Sequence, residues 1–248
     1  MKRNILLLIA LIGICAATHA QNLVLHYKLT EQDKYIVDQS GNGNTGEALS
    51  GKNCIYGHSI GGRHGVFCFK DPKSKIRSTQ AVNIKGENPK TICFWAYCSY
   101  NPAEPFYELM TNDGHADDYF QIFIRRRNEI VVNFEKPQAV KVSKKNSKRH
   151  PSKSATVLRS YVSFKAPTFS INDNSWHHYT IVCPDKNPEN VKVYFDGKEL
   201  KGNVKGSFVI NTNKSRLTFG SKFNGYLSNI KVYNEVLQPA QIINNVKN

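Results

Sequence analysis

Apolar and polar residues alternate with a period of two along much of this chain. In "LVLHYKL" Leu23, Leu25, Tyr27 and Leu29 recur at every second position, and in "TICFWAY" so do Ile92, Phe94 and Ala96. Successive side chains of a strand point to opposite faces, so each set predicts one buried face. "YFQIFI", "IVVNF", "TVLRSYVSF", "HHYTIVC", "VKVYF", "RLTFG" and "YLSNIKVY" are further strand segments, set between turn-rich stretches. In "FDGKE" Asp196 and Gly197 suit the positive φ angles of a tight hairpin turn. Beyond the apolar N-terminus, only "LQPAQIINNV" reads as a helix, with Pro239 near its first turn. Many short strands joined by polar turns predict an all-β sandwich.

The first twenty residues change the picture from fold to address. Lys2 and Arg3 precede an apolar stretch from Ile5 to Ile14, followed by the small-residue sequence "CAATHA". This is the three-part pattern of a secretory signal peptide, too short to span a bilayer, and it predicts cleavage after Ala20. A lipoprotein anchored through Cys15 is the competing reading, but Ile14 stands where that processing normally takes a small residue. The expectation is one domain over residues 21–248, exported to the periplasm, the cell surface or the medium, with no transmembrane segment.

Charge narrows the partners. The chain carries 34 Lys and Arg against 19 Asp and Glu, a formal net charge of +15, or +13 without the leader. Seven of these positive charges, with no acid among them, lie between Lys136 and Lys153. The run "KVSKKNSKRHPSK" offers Lys144, Lys145, Lys148 and Arg149 as candidate polyanion contacts, and it reads equally as a solvated loop. No recognised nucleic-acid module accompanies it.

Five cysteines remain after leader removal. Cys93 and Cys98 lie in one predicted strand, roughly 16 Å apart if it is straight, beyond the reach of a disulfide. Cys54 and Cys68 flank a Gly-rich turn and form the more plausible pair; small buried core residues are the alternative for all five.

Three segments carry a family resemblance. "DQSGNGNTG" (residues 38–46) resembles the Asp-x-Ser-Gly turn near the start of concanavalin A-like, laminin G-like domains of bacterial exported proteins. "SWHHYTIV" and "VKVYFDGKEL" resemble their Trp-His-His strand and Tyr-x-Asp-Gly hairpin, and "FNGYLSNIKVYNEVLQPAQI" is similar to their closing strand and helix. The resemblance implies a jelly-roll β-sandwich of two antiparallel sheets with a short C-terminal helix. It also implies a structural calcium, which Asp38 would begin to ligate. This chain departs from the family by placing Ser228 and Asn229 where relatives commonly carry an acid, and Asp38 also reads as the cap of a tight turn.

The same resemblance raises the question of catalysis. Glucanases of this superfamily carry a Glu-x-Asp-x-x-Glu strand, and glycoside hydrolysis needs two carboxylates on one face, about 5 Å apart in a retaining enzyme. That pattern is missing: Asp117 and Asp118 are adjacent, Glu104 and Glu108 fall in a proline-broken loop, and Glu129 falls at a hairpin tip. His177 and His178 point to opposite faces of a strand and cannot converge on one metal. Trp176 would then cap the sandwich edge, with Tyr179, Ile181 and Cys183 buried. The reading is a non-catalytic, lectin-like domain that binds carbohydrate, with a leaning toward sulfated or uronic glycans and no certain cofactor. In "HADDYFQIFIRRR" Tyr119, Gln121, Phe123 and Arg125 share the face opposite Phe120, Ile122 and Ile124, which predicts a binding surface above a core face. Tyr100, Phe106 and Tyr107 would add aromatic contacts, and Asn112, Asp113 and His115 polar ones. An adhesion or assembly domain that binds a protein is the alternative, and a polysaccharide lyase a further one.

Overall fold

The computed structural model describes residues 22–30, 33–49, 58–69, 71, 73–99, 106–112, 114, 118–125, 128–135, 138–141, 154–157, 160–167, 171, 173–206 and 208–247. Within them the strands are β1 (Leu23–Tyr27), β2 (Tyr35–Ile36), β3 (Gly46–Leu49), β4 (His58–Ile60), β5 (Arg63–Cys68), β6 (Lys75–Ser78), β7 (Lys90–Cys98) and β8 (Phe106–Asn112). They continue as β9 (Gln121–Arg125), β10 (Glu129–Asn133), β11 (Gln138–Lys141), β12 (Ser154–Val157), β13 (Tyr161–Lys165) and β14 (Trp176–Cys183). The last are β15 (Lys192–Phe195), β16 (Lys198–Glu199), β17 (Gly202–Lys205), β18 (Leu217–Phe219) and β19 (Gly225–Tyr233), followed by helix α1 (Pro239–Lys247).

Two antiparallel sheets pack face to face. One has eight strands in the order β16-β15-β14-β7-β19-β5-β4, with β1 also paired to β19; the other has nine, in the order β17-β13-β10-β9-β8-β18-β6-β3-β2. β11 and β12 pair with each other as a separate ribbon between β10 and β13. This is the β-sandwich with one short C-terminal helix that the strand pattern predicts, in the jelly-roll form that the family resemblance implies. Its layers meet as the alternation requires: Ile92, Phe94, Ala96, Tyr179, Ile181 and Cys183 from the first sheet share one core with Ile122, Ile124, Ile130 and Val132 from the second. Each large apolar side chain so buried contributes about 1.5–3 kcal/mol.

Two local devices shape the frame. Asp196 and Gly197 both take positive φ (50° and 77°), which turns β15 tightly into β16. On β19 the register shifts between Ser228 and Lys231, and Asn229 takes the left-handed conformation (φ 49°) that Asn tolerates better than most residues. Its side-chain oxygen meets His26 Nε2 at 2.8 Å and ties β19 to β1. Helix α1 covers part of the outer face of the eight-stranded sheet, where Ile242 and Leu237 pack on Cys93, Val182, Tyr194 and Tyr233. Among the described residues no helix is long and apolar enough to cross a membrane.

The described cysteines are thiols. Cys68, Cys93, Cys98 and Cys183 are free and buried, and Cys54 lies outside the described residues. Cys68 packs as a small residue of β5, the core alternative for the cysteines, while the Cys54 end of the Cys54–Cys68 pair lies outside the described residues.

Candidate functional site

The nine-stranded sheet buries its inner face and carries a polar row on its outer one. Register sets Tyr161, Asn133, Gln121, Thr111, Thr218 and Arg77 opposite one another on consecutive strands. Beside this row Glu108 stands opposite Phe123, and Arg125 opposite Glu129. Inward neighbours such as Ile122 and Val132 hold each polar residue outward by the pleat of the strand.

Three of these side chains form a buried base. Glu108, Gln121 and Asn133 are shielded from solvent, and Gln121 Nε2 donates to Glu108 Oε2. Asn133 Nδ2 donates to the backbone oxygen of Glu135 at 2.8 Å and lies 3.4 Å from Gln121 Oε1. Asn133 Oδ1 is buried without a hydrogen bond to any described residue. Burial raises the pKa of Glu108, against the opposing hydrogen bonds from Gln121 and Ser221 and the charges of Lys222 and Lys75. Above this base stand half-buried Thr111, Tyr119, Arg125 and Tyr161. Burial also raises the pKa of Tyr119, opposed by its hydrogen bond with Thr111. Arg125 forms a bidentate pair with Glu129 (2.6 and 3.0 Å) and reaches Tyr161 Oη at 3.2 Å, over whose ring its guanidinium lies at 4.8 Å. Hydroxyl, amide and guanidinium groups held on one sheet face can donate to and accept from a polyhydroxylated ligand.

The structure brings Gln121, Arg125 and Tyr119 to this outer face as the alternation predicts, and it alters other assignments. Tyr107 is a core residue, 2% exposed: it pairs with Ile124 on the inner face and meets Phe223 edge-on at 6.4 Å between ring centroids. Asn112 is a structural clamp, its amide donating to Asp118 O and its oxygen accepting from Phe120 N (2.7 and 2.8 Å). Gln121 is buried within the base, so it orients its neighbours. Phe123 is fully buried despite its outer position. Glu108 lies in strand β8 where a loop was expected, and Glu129 stands at the end of the β9–β10 hairpin opposite Arg125, as expected. Asn133 and Tyr161 went unnoticed in the sequence, although the alternation in "NEIVVNF" already marks Asn133 as sharing a face with Val131 and Glu129. Tyr100, Asp113, His115, Lys144, Lys145, Lys148 and Arg149 lie outside the described residues, as does the side chain of Phe106.

Asp38 does not fit a calcium site. One of its carboxylate oxygens accepts from the backbone N–H groups of His26 and Ser40 (2.9 and 3.0 Å), the other from Ser40 Oγ and Asn44 N–H (2.8 and 2.9 Å). Oxygens filled by four donors secure a turn and leave no free pair for a cation that wants six to eight oxygens. Among the described residues no group of three or more His, Cys, Asp or Glu could hold a metal ion. His177 and His178 diverge as expected: His177 stacks on the core ring of Phe195, while His178 meets Trp95 on the outer face.

A jelly-roll of two antiparallel sheets with a polar outer face defines the lectin-like class of β-sandwich. The chain belongs to the laminin G-like family (type 3) of the concanavalin A-like lectin/glucanases superfamily, whose model matches residues 71–243. In fold it is similar to the receptor binding domain of botulinum neurotoxin D, with a TM-score of 0.58 and 16% identity over 91% of this chain and 52% of that one. It is similar also to the binding domain of Paraclostridial Mosquitocidal Protein 1 (TM-score 0.59, 19% identity, 91% of this chain and 52% of that one). A third is the binding domain of botulinum neurotoxin DC in complex with rat synaptotagmin II (0.61, 15%, 91% and 51%). The chain thus spans about half the length of these structures. No curated protein matches it by sequence.

Proposed function

We propose that this chain is an exported, non-catalytic carbohydrate-binding domain, comprising residues 21–248 after removal of a leader at 1–20. The observation that carries the reading is the outer face of the nine-stranded sheet, where half-buried Thr111, Tyr119, Arg125 and Tyr161 stand over the buried Glu108–Gln121–Asn133 base. A base fixed by hydrogen bonds holds the exposed hydroxyls in place before a ligand arrives, which lowers the entropy cost of binding. Tyr100 and His115 are assigned as further contacts. Lys144, Lys145, Lys148 and Arg149 are assigned to attraction of sulfated or uronic glycans, because cation clusters raise the local concentration of anionic ligands.

The test is binding of the purified protein to neutral, uronic and sulfated glycans over a range of salt concentrations. Alongside it run Tyr119→Ala and a variant with Lys144, Lys145, Lys148 and Arg149 changed to Ser. The reading expects glycan binding that Tyr119→Ala weakens; acidic glycans lost at high salt and in the lysine variant would give the basic run its role. Neutral-glycan binding indifferent to the lysine variant would remove that role. Depolymerisation of an acidic glycan would replace the reading with a polysaccharide lyase.

A protein partner is the second reading. One structural neighbour is a binding domain in complex with synaptotagmin II, so this fold also serves protein recognition. Absence of glycan binding, together with one specific protein captured from a target cell surface, would favour it.

A further inference from the structure

The eight-stranded sheet carries a second cluster on its outer face. Register sets Trp176 opposite Tyr97 and Tyr97 opposite Tyr226, so three aromatic side chains from adjacent strands stand in one row. The next row holds Trp95 between His178 and Ser228. The rings meet edge to face, Tyr97 to Trp176 at 5.7 Å and Tyr97 to Tyr226 at 5.6 Å. The β4–β5 hairpin lays Arg63 across this surface, with its guanidinium carbon 3.5 Å from the Trp95 ring centroid and 5.9 Å from that of Trp176. Trp176 Nε1 donates to Ile60 O at 2.7 Å and fastens the hairpin in that position.

Stacking occupies the flat face of a guanidinium and leaves its N–H groups, which lie in its plane, directed outward. No ion pair or hydrogen bond to a described residue takes the Arg63 donors, and burial lowers its pKa with no acid acting against it. The surroundings add positive charge: Lys231 and Arg63 both disfavour protonation of His178. Asp196, which acts in the opposite sense, is engaged by His177 Nδ1 at 2.7 Å and the His178 backbone N–H at 2.8 Å. Trp95 is 8% exposed and its Nε1 is buried without an acceptor among the described residues. A half-buried cation with free donors, set among aromatic faces, costs desolvation that an oxyanion partner would offset.

We propose that this patch binds an acidic sugar, a pyranose bearing a carboxylate or sulfate, with its oxyanion on the free edge of Arg63 and its C–H face against Trp176 and Tyr97. The proposal rests on the glycan-binding reading for its ligand class, and it assigns a site on the other sheet.

Trp95 and Trp176 are the chain's two tryptophans, so intrinsic fluorescence reports this patch and not the polar row. The purified protein is titrated with oligogalacturonate, sulfated dextran oligomers and neutral dextran oligomers. A saturable change with an acidic oligomer and none with the neutral one is expected; which acid responds identifies the group. Arg63→Gln weakens that response about tenfold or more, and Arg63→Lys, which keeps the charge but not the fork, falls between. The lysine variant also decides the matter if Arg63→Gln fails to fold. No saturable change, an equal response to neutral dextran, or affinity unaltered in both Arg63 variants would overturn the proposal. So would loss of the fluorescence response in Tyr119→Ala, because the ligand would then sit on the polar row. Array binding lost in Tyr119→Ala with fluorescence silent throughout would leave the polar-row reading standing and remove this one.

Discussion

At adjacent positions of β14, His177 and His178 meet opposite electrostatic surroundings. Burial works against the His177 imidazolium, but the Asp196 and Asp173 carboxylates outweigh it and raise its pKa. A base whose folded pKa is raised stabilises the fold fully below its ordinary value of 6.5, and that contribution is lost as pH rises through the folded value. His177→Gln should therefore show its largest stability deficit near pH 5 and a smaller one near pH 9, read from urea unfolding midpoints. For His178, burial, aided by Lys231 and Arg63, pushes the pKa down to about 3. Its contribution is fully present above 6.5 and falls away between 6.5 and about 3, by up to about 1.4 kcal/mol per pH unit. His178→Gln should flatten the acid side of the same profile. Glu108 has a raised pKa through burial, so its charged form is disfavoured in the fold and stability falls as pH rises through that value. Glu108→Gln keeps an acceptor for Gln121 and should raise the thermal midpoint at pH 7.

β8 shows how an element can conceal its pattern. Pro102 and Pro105 precede it, and its register shifts between Glu108 and Met110, so Tyr107, Leu109 and Met110 all join the core. One extra residue in a strand breaks the period of two, and simple alternation then misplaces side chains around it. Tyr107→Ala should accordingly destabilise the protein by about 3–5 kcal/mol in chemical denaturation, the cost of emptying a core site. Had Tyr107 been a surface contact, stability would barely change. The β18–β19 connection is equally demanding: a Cβ on Gly220, at φ +80°, would lie 2.0 Å from Phe69. Gly220→Ala should lower the thermal midpoint sharply, while Gly62→Ala should lower it less, since a Cβ there meets nothing within 4 Å and only the strain of its positive φ remains.

At the scale of the whole molecule, the described residues are held by packing and carry no covalent brace. The described thiols are buried, and burial pushes the pKa of Cys93 and Cys98 up to about 12 and that of Cys183 to about 11. Thiols held neutral in a core are poor nucleophiles. A thiol reagent should react with them only at the rate of unfolding, and a reductant should leave the thermal midpoint unchanged. A midpoint lowered by reductant would reveal a structural disulfide. The two sheets also keep their outer faces apart, so variants on the polar row and at Arg63 should act additively in binding.

The sequence by itself determined the all-β class, most strands, the Asp196–Gly197 turn, the C-terminal helix and the inward sets of β7, β9 and β14. These follow from alternation and turn chemistry, which act between near neighbours in the chain. Only the tertiary structure decided that Tyr107 is core, that Asp38 spends its oxygens on a turn, and that Glu108, Gln121 and Asn133 share one network. It alone brought Arg63 onto Trp95 and Trp176 from a hairpin far away in the chain. Those encounters depend on strand order: β7 pairs with β14 on one side and β19 on the other. Such order is set by the joint burial of many distant residues, and local periodicity carries no record of it.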